Sequence, residues 1–298
     1  MAWTKIGIIQ VIQRDGIGYE ERTERLYRQA RACLEEGAEL VFFPEAYQHV
    51  PDRDIVFDPD RLLKVSGEWK ERCAALAREF SAYVVPWDYE YRDGRTYNSS
   101  YILDRNGVEI GRYRKVHLTR SEQDGRKLTG GDGFPVFDLD IGRIGIMICW
   151  DNYFPESARC LYNNGAELVL YPLYGDTLNP GWETKLRARA ADNFMYIACS
   201  QIDIRQGVYS GLVSPEGEVL CRLEQGRECH AVVEIDIGRE VVAHTNGNPA
   251  YPERLRDYVE RCRRPDAYGA IMKAPEINSW EDIYFGNPIP LAKGKEKK

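Results

Sequence analysis

Short apolar runs alternate with amphipathic stretches along most of the chain. Ile6 to Ile12 lacks polar alternation, the pattern of a strand buried on both faces. From about Tyr19 to Glu36 the apolar positions Leu26, Ala30, Cys33 and Leu34 follow helical spacing. Glu39 to Phe43 reads as a second strand, ending in Pro44-Glu45, and Trp69, Cys73, Leu76, Ala77 and Phe80 mark a second helix. Tyr83–Glu90, Thr96–Leu103 and Val108–Arg114 then alternate as strands, joined by the turn signals Asp93-Gly94 and Asn106-Gly107. Lys115 and His117 stand at the end of the third. The polar, glycine-rich stretch from Ser121 to Gly133 predicts a long loop.

Phe134 to Leu139 precedes the stretch that organises the rest, Ile141 to Glu156. Ile144 to Ile148 reads as a buried strand, Cys149 follows it, and Pro155-Glu156 is a helix start. A cysteine between a strand's carboxyl end and a helix sits where open α/β sheets bind ligands. The placement resembles the nucleophile elbow of serine hydrolases. Further on, strands are expected at Leu168–Tyr171, Tyr196–Ile202, Tyr209–Val213, Val219–Leu223 and Ala231–Ile237. Helices are expected from Pro155 and along Trp182, Leu186 and Ala190. Strand–helix units around a set of hairpins predict sheets with helices outside, and Pro265 onward reads as irregular.

The chain has 298 residues, 43% hydrophobic, enough to bury a large core. A net charge of -7 argues against nucleic-acid or anionic-membrane partners, and Lys293 to Lys298 reads as a solvated tail. Lacking a secretory pattern at Met1–Ile12 and any apolar span of membrane length, the chain is expected to be soluble and cytoplasmic. Eight cysteines without a Cys-x-x-Cys pair are then reduced thiols, and no Cys/His spacing supports zinc. Gly16-Ile17-Gly18 imitates a dinucleotide fingerprint, but Glu21 replaces its third glycine and would face the pyrophosphate.

Glu45, Lys115 and Cys149 each end a predicted strand. If those ends point the same way, a carboxylate, an ammonium and a thiol converge. That set suits acyl transfer: the carboxylate takes the thiol proton, and the ammonium favours a thiolate or holds an oxyanion.

Three segments resemble, in order, the signatures of the nitrilase (carbon–nitrogen hydrolase) superfamily. They are Phe43-Pro44-Glu45, Tyr113 to His117, and Ile148 to Glu156. Gly131-Asp132-Gly133-Phe134, the passage Arg187 to Gln201 and Arg263 to Tyr268 agree with it. The resemblance implies a four-layer α-β-β-α sandwich, a single domain over 1–264, and an irregular extension at 265–298 that packs on a partner subunit of a homodimer or larger assembly. It also implies a site without metal or organic cofactor. Cys149 is then the nucleophile, Glu45 the general base, and Lys115 with the Trp150 backbone N–H the oxyanion donors. Glu122 is the candidate for a further supporting glutamate, with Asp124 the alternative, and Gln201 stands where the family often has asparagine. Cys149-Trp150-Asp151 followed by Phe154-Pro155-Glu156 looks most like the amidase and N-carbamoyl-amine hydrolase branches. Trp150, Tyr153, Tyr174 and Asp176 are candidates for substrate contact, with aromatic packing or a turn aspartate as the alternative role. Competing readings are nitrile hydrolysis, a Cys–His hydrolase using His117 or His49, and a scaffold that keeps the fold without turnover.

Overall fold

The computed structural model describes residues 3–50, 52–175, 181–203, 208–243 and 253–273. The chain divides into two compact units, Met1–Ala243 and His244–Lys298. Among the described residues the second carries the short strand Glu253–Arg254, the helix Leu255–Cys262 and the 3-10 turns Pro265–Ala267 and Gly269–Met272.

In the first unit, β1 (Trp3–Ile12) leads through α1 (Tyr19–Glu35) to β2 (Leu40–Phe42). The helix α2 (Pro59–Phe80) starts with proline in its first turn and the Asp58 side chain accepting from the Arg61 N–H at 3.2 Å. β3 (Tyr83–Val85) and β4 (Trp87–Arg92) follow it. The expected single strand from Tyr83 is thus cut at Pro86, which cannot donate to a ladder. β5 (Arg95–Leu103) returns from β4 through Asp93-Gly94, both with positive φ as a tight hairpin turn requires, and β6 (Glu109–Arg114) completes the meander. Then come β7 (Val136–Leu139), β8 (Gly142–Ile146), α3 (Pro155–Asn163), β9 (Leu168–Leu173) and α4 (Trp182–Ala191). β10 (Tyr196–Asp203), β11 (Gly211–Val213), β12 (Val219–Arg222) and β13 (Cys229–Asp236) close the unit.

The central ladder runs β4-β5-β3-β2-β1-β10-β9-β8-β7, with β6 on β5, β13 on β1 and β11–β12 on β10. The pairs from β3 through β2, β1, β10 and β9 to β8 are parallel. β6 is antiparallel to β5, which is antiparallel to β3, so β6 runs the same way as well. The carboxyl ends of β2, β6, β8 and β9 therefore lie along one edge.

Alternation along each strand builds the layers. Ile6 and Ile8 of β1, Phe42 of β2, Ile144 and Ile146 of β8, and Leu168 and Leu170 of β9 all face one central core. Their neighbours Ile9, Val11 and Val41 face a second core under α1 and α2, while Val169, Tyr171 and Ile197 face a third under α3 and α4. The ladder is curled, so its two halves meet across the central core in an α-β-β-α sandwich. Two glycines mark close approaches in this stack. A Cβ on Gly7 would meet Cys33 of α1 at 2.8 Å, and one on Gly111 of β6 would overlap the Phe137 ring of β7 in the facing half. Among the described residues no helix is long and apolar enough to cross a membrane.

Candidate active site

Glu45 lies just past β2, where Phe43 N–H still bonds the Val85 carbonyl, and the next residue, Ala46, turns the chain away with φ 65°. The Glu45 side chain is thereby directed into the protein, where it is 4% exposed. Lys115 directly follows β6, its backbone N–H held on the Asn98 carbonyl at 2.8 Å, and it is 1% exposed. Burying two such charges is costly unless they pair. They do: Lys115 Nζ donates to Glu45 Oε1 at 2.9 Å and to both oxygens of Glu122 at 3.0 Å.

Of the two candidate acids Glu122 is the one that reaches Lys115, and the stretch around it is not the plain loop its polar composition predicts. Ser121–Gly125 forms a π-helical turn that sends Glu122 inward, while Asp124 points to solvent and pairs at 3.5 Å with Arg120. Glu122 Oε2 also accepts from the Thr119 N–H at 2.8 Å and its hydroxyl at 2.9 Å. Burial disfavours the charged carboxyl, but the Lys115 ammonium and these donors hold its pKa below the ordinary value. Burial likewise opposes the charge on Lys115, and the carboxylates of Glu122 and Glu45 outweigh it, holding the ammonium well above its usual range.

Cys149 begins a 3-10 turn, Cys149–Tyr153, between β8 and α3. Its φ of 44° is left-handed, a strained conformation for a residue with a Cβ. Three bonds hold the strain. Asp151, fully buried, accepts from the Ile148 N–H at 2.9 Å and the Tyr113 hydroxyl at 2.6 Å; Tyr171 donates to the Cys149 carbonyl at 2.9 Å. The thiol lies beside Glu45. Burial, and next the Glu45 carboxylate, push this thiol well above the usual range, with Lys115 pulling the other way. The resting arrangement is a neutral thiol facing the Glu45 side chain.

The acid, the amine and the sulfur thus meet, together with Glu122. Trp150 and Tyr153 stack with ring centroids 4.2 Å apart, and Lys185 Nζ lies 4.8 Å over the Tyr153 ring. Tyr174 gives its backbone N–H to Glu45 Oε2 at 3.0 Å and its hydroxyl to Gln13 at 2.8 Å, and Arg53 lies 4.5 Å over its ring. Asp176 falls outside the described residues. Gln201 is fully buried and ties the β10–β11 hairpin, donating from Nε2 to the Val208 carbonyl at 2.9 Å. Neither histidine serves the thiol. His117 bonds Asp151 at 2.9 Å and stacks on Phe154, and His49 is buried against Asp88 at 2.7 Å. Asn98, Asp151 and Tyr171 carry no role in the sequence reading. Asp151 stands inside the quoted cysteine segment, which was its available signal; Asn98 lies in a strand buried throughout from Thr96 on and had none.

A profile of the carbon–nitrogen hydrolase family matches residues 6–243. The chain belongs to that family. Omega-amidase NIT2 of Homo sapiens is 30% identical to it over 261 residues, 82% of this chain and 90% of the relative. A nitrilase of Pyrococcus abyssi is 31% identical over 72% of this chain and 82% of its own length. The crystal structure of a carbon–nitrogen hydrolase from Helicobacter pylori G27 superposes with a TM-score of 0.73 at 23% identity, covering 92% of this chain and 99% of that one. This last likeness establishes a shared fold.

Proposed function

We propose that this carbon–nitrogen hydrolase is a cysteine-dependent amidase that cleaves a small linear amide or N-carbamoyl compound through a thioester. The observation that carries the reading is that one buried carboxylate, Glu45, bonds the Lys115 ammonium and stands beside the Cys149 thiol. Glu45 takes the thiol proton as the sulfur attacks the carbonyl carbon. The oxyanion that forms is met by Lys115 Nζ and by the N–H of Trp150, a backbone donor in the first turn after the nucleophile. Glu45 then returns the proton to the leaving nitrogen, and ammonia or an amine departs. A water that gives its proton to Glu45 attacks the thioester, releasing the acid and restoring the thiol.

The omega-amidase name of the relatives supports an amide substrate. The nitrilase from Pyrococcus abyssi supports keeping nitriles as the second reading. Ammonia release from a panel of amides, N-carbamoyl amines and nitriles tests both. Turnover of amides that disappears in Cys149→Ser and Cys149→Ala, with unchanged thermal unfolding, is the expected result. Turnover that persists in either variant overturns the mechanism, and a wild-type protein inert toward the panel favours the scaffold reading. A homodimer is part of the proposal, and sedimentation of the full chain tests it.

A further inference from the structure

The strongest unassigned feature of the site is the Asn98 side chain, 2% exposed and placed between the two carboxylates. Its Nδ2 lies 2.7 Å from Glu45 Oε1 and 2.7 Å from Glu122 Oε1. An asparagine amide can in principle be turned either way, with oxygen and nitrogen exchanged. Here the third partner decides: Trp87 Nε1, a donor only, lies 2.6 Å from Asn98 Oδ1. The oxygen must face the indole, so both N–H bonds of the amide face the carboxylates. Trp87 is itself fully buried and packs edge-on against Tyr89 at 4.9 Å, which leaves the indole little freedom to release the amide.

The consequence falls on the oxygens of Glu45. Oε1 accepts from Asn98 and from Lys115, so both its lone pairs are engaged. Among the described residues Oε2 accepts one backbone bond, from the Tyr174 N–H. We propose that Asn98, locked by Trp87, is a positioning residue that fills Glu45 Oε1 and thereby leaves Oε2 as the atom that receives and returns the proton. The balance is simple: the S–H bond breaks, an O–H bond forms at Oε2, the sulfur electron pair makes the bond to carbon, and the carbonyl π pair moves onto its oxygen. Two amide donors also offset the repulsion of the adjacent carboxylates around the single ammonium between them.

This inference rests on the amidase reading, and the two fail differently. Wild-type protein that turns over no amide, with the Cys149→Ala variant as blank, defeats the reading itself. Given turnover, Asn98→Leu keeps the volume and removes both donors. The expected result is a kcat lower by about 30-fold or more with KM within about threefold, since the loss touches proton transfer rather than binding. The acidic limb of the kcat/KM profile also moves up by about one pH unit, because the ionised carboxylates have lost their donors. A drop in the folded fraction alone lowers kcat without moving that limb. Trp87→Phe keeps the ring and removes only the N–H, so it reads the same chain if Asn98→Leu does not fold. It is expected to shift the limb in the same direction by a smaller amount. An unmoved limb in the folded Asn98 variant, or in Trp87→Phe where only that one folds, overturns the proposal.

Discussion

Lys115 Nζ stands 3.0 Å from each oxygen of Glu122, seven residues further along the chain, and 2.9 Å from Glu45, seventy residues before it. One ammonium therefore holds two buried carboxylates, and its removal has a calculable sign. In Lys115→Met the carboxylates face each other with only Asn98 between them, and unpaired buried charge costs about 3–5 kcal/mol. Activity is expected to vanish. In this variant the carboxyl pKa values rise above their unfolded values, so protonation on acidification restores stability. Its denaturation midpoint should therefore approach that of the wild type between neutral pH and about pH 5. A constant gap between the two midpoints across that range contradicts the shared-ammonium arrangement.

In the wild type the sign is opposite. The Glu122 carboxyl is held below its ordinary pKa, so the stability it contributes is present above the unfolded value and is lost as pH falls through the lowered one. Glu122→Gln is expected to be less stable at neutral pH and to lose less than the wild type on acidification below about pH 4. It also puts an N–H₂ where Thr119 and Lys115 now donate, and kcat is expected to fall about 10- to 100-fold. Paired urea melts at neutral and acid pH, with the rate measured at neutral pH, check both effects.

Removing the proposed base has a less obvious result. After burial, the Glu45 carboxylate is the largest influence raising the Cys149 pKa, while Lys115 lowers it. Glu45→Gln therefore makes the thiol more acidic even as it abolishes turnover. Ultraviolet absorbance of the thiolate, corrected with Cys149→Ser, is expected to appear at lower pH in Glu45→Gln than in the wild type. A midpoint that stays or rises shows that the carboxylate does not face the sulfur in solution.

Asp151 touches no reacting atom in the proposed mechanism but accepts from the Tyr113 hydroxyl, the Ile148 N–H, and both the backbone N–H and the ring of His117. An amide at this position must turn N–H₂ toward at least one of these donors. Asp151→Asn is expected to cost about 1–3 kcal/mol of stability and to release the left-handed turn at Cys149. A drop in kcat larger than the stability loss accounts for, measured well below the melting temperature, is the signature.

The three chemical residues were legible because each ends a predicted strand: Glu45 and Cys149 follow short apolar runs, where a polar residue is unusual, and Lys115 follows the last of the alternating hairpin strands. The layers were legible from the same runs together with the family resemblance. Glu122 could be named only as one of two acids, because a π-helical turn has no period that polar sequence displays. Asn98 was invisible for another reason: within Tyr97-Asn98-Ser99-Ser100 nothing distinguishes it, and its meaning comes from Trp87 across the hairpin and from carboxylates on two other segments. Pro86 divides the first hairpin strand, yet Tyr83 to Glu90 keeps an apolar pattern on both sides, which hid the break.

The central core keeps two halves of a curled ladder apart, Phe42 and Ile8 on one side and Ile146 and Leu170 on the other. The strands that end at Glu45 and at Cys149 belong to opposite halves, so these apolar volumes act as a shim that sets the gap between acid and sulfur. Trimming one methylene there leaves every polar contact formally intact and still alters the reach of the proton.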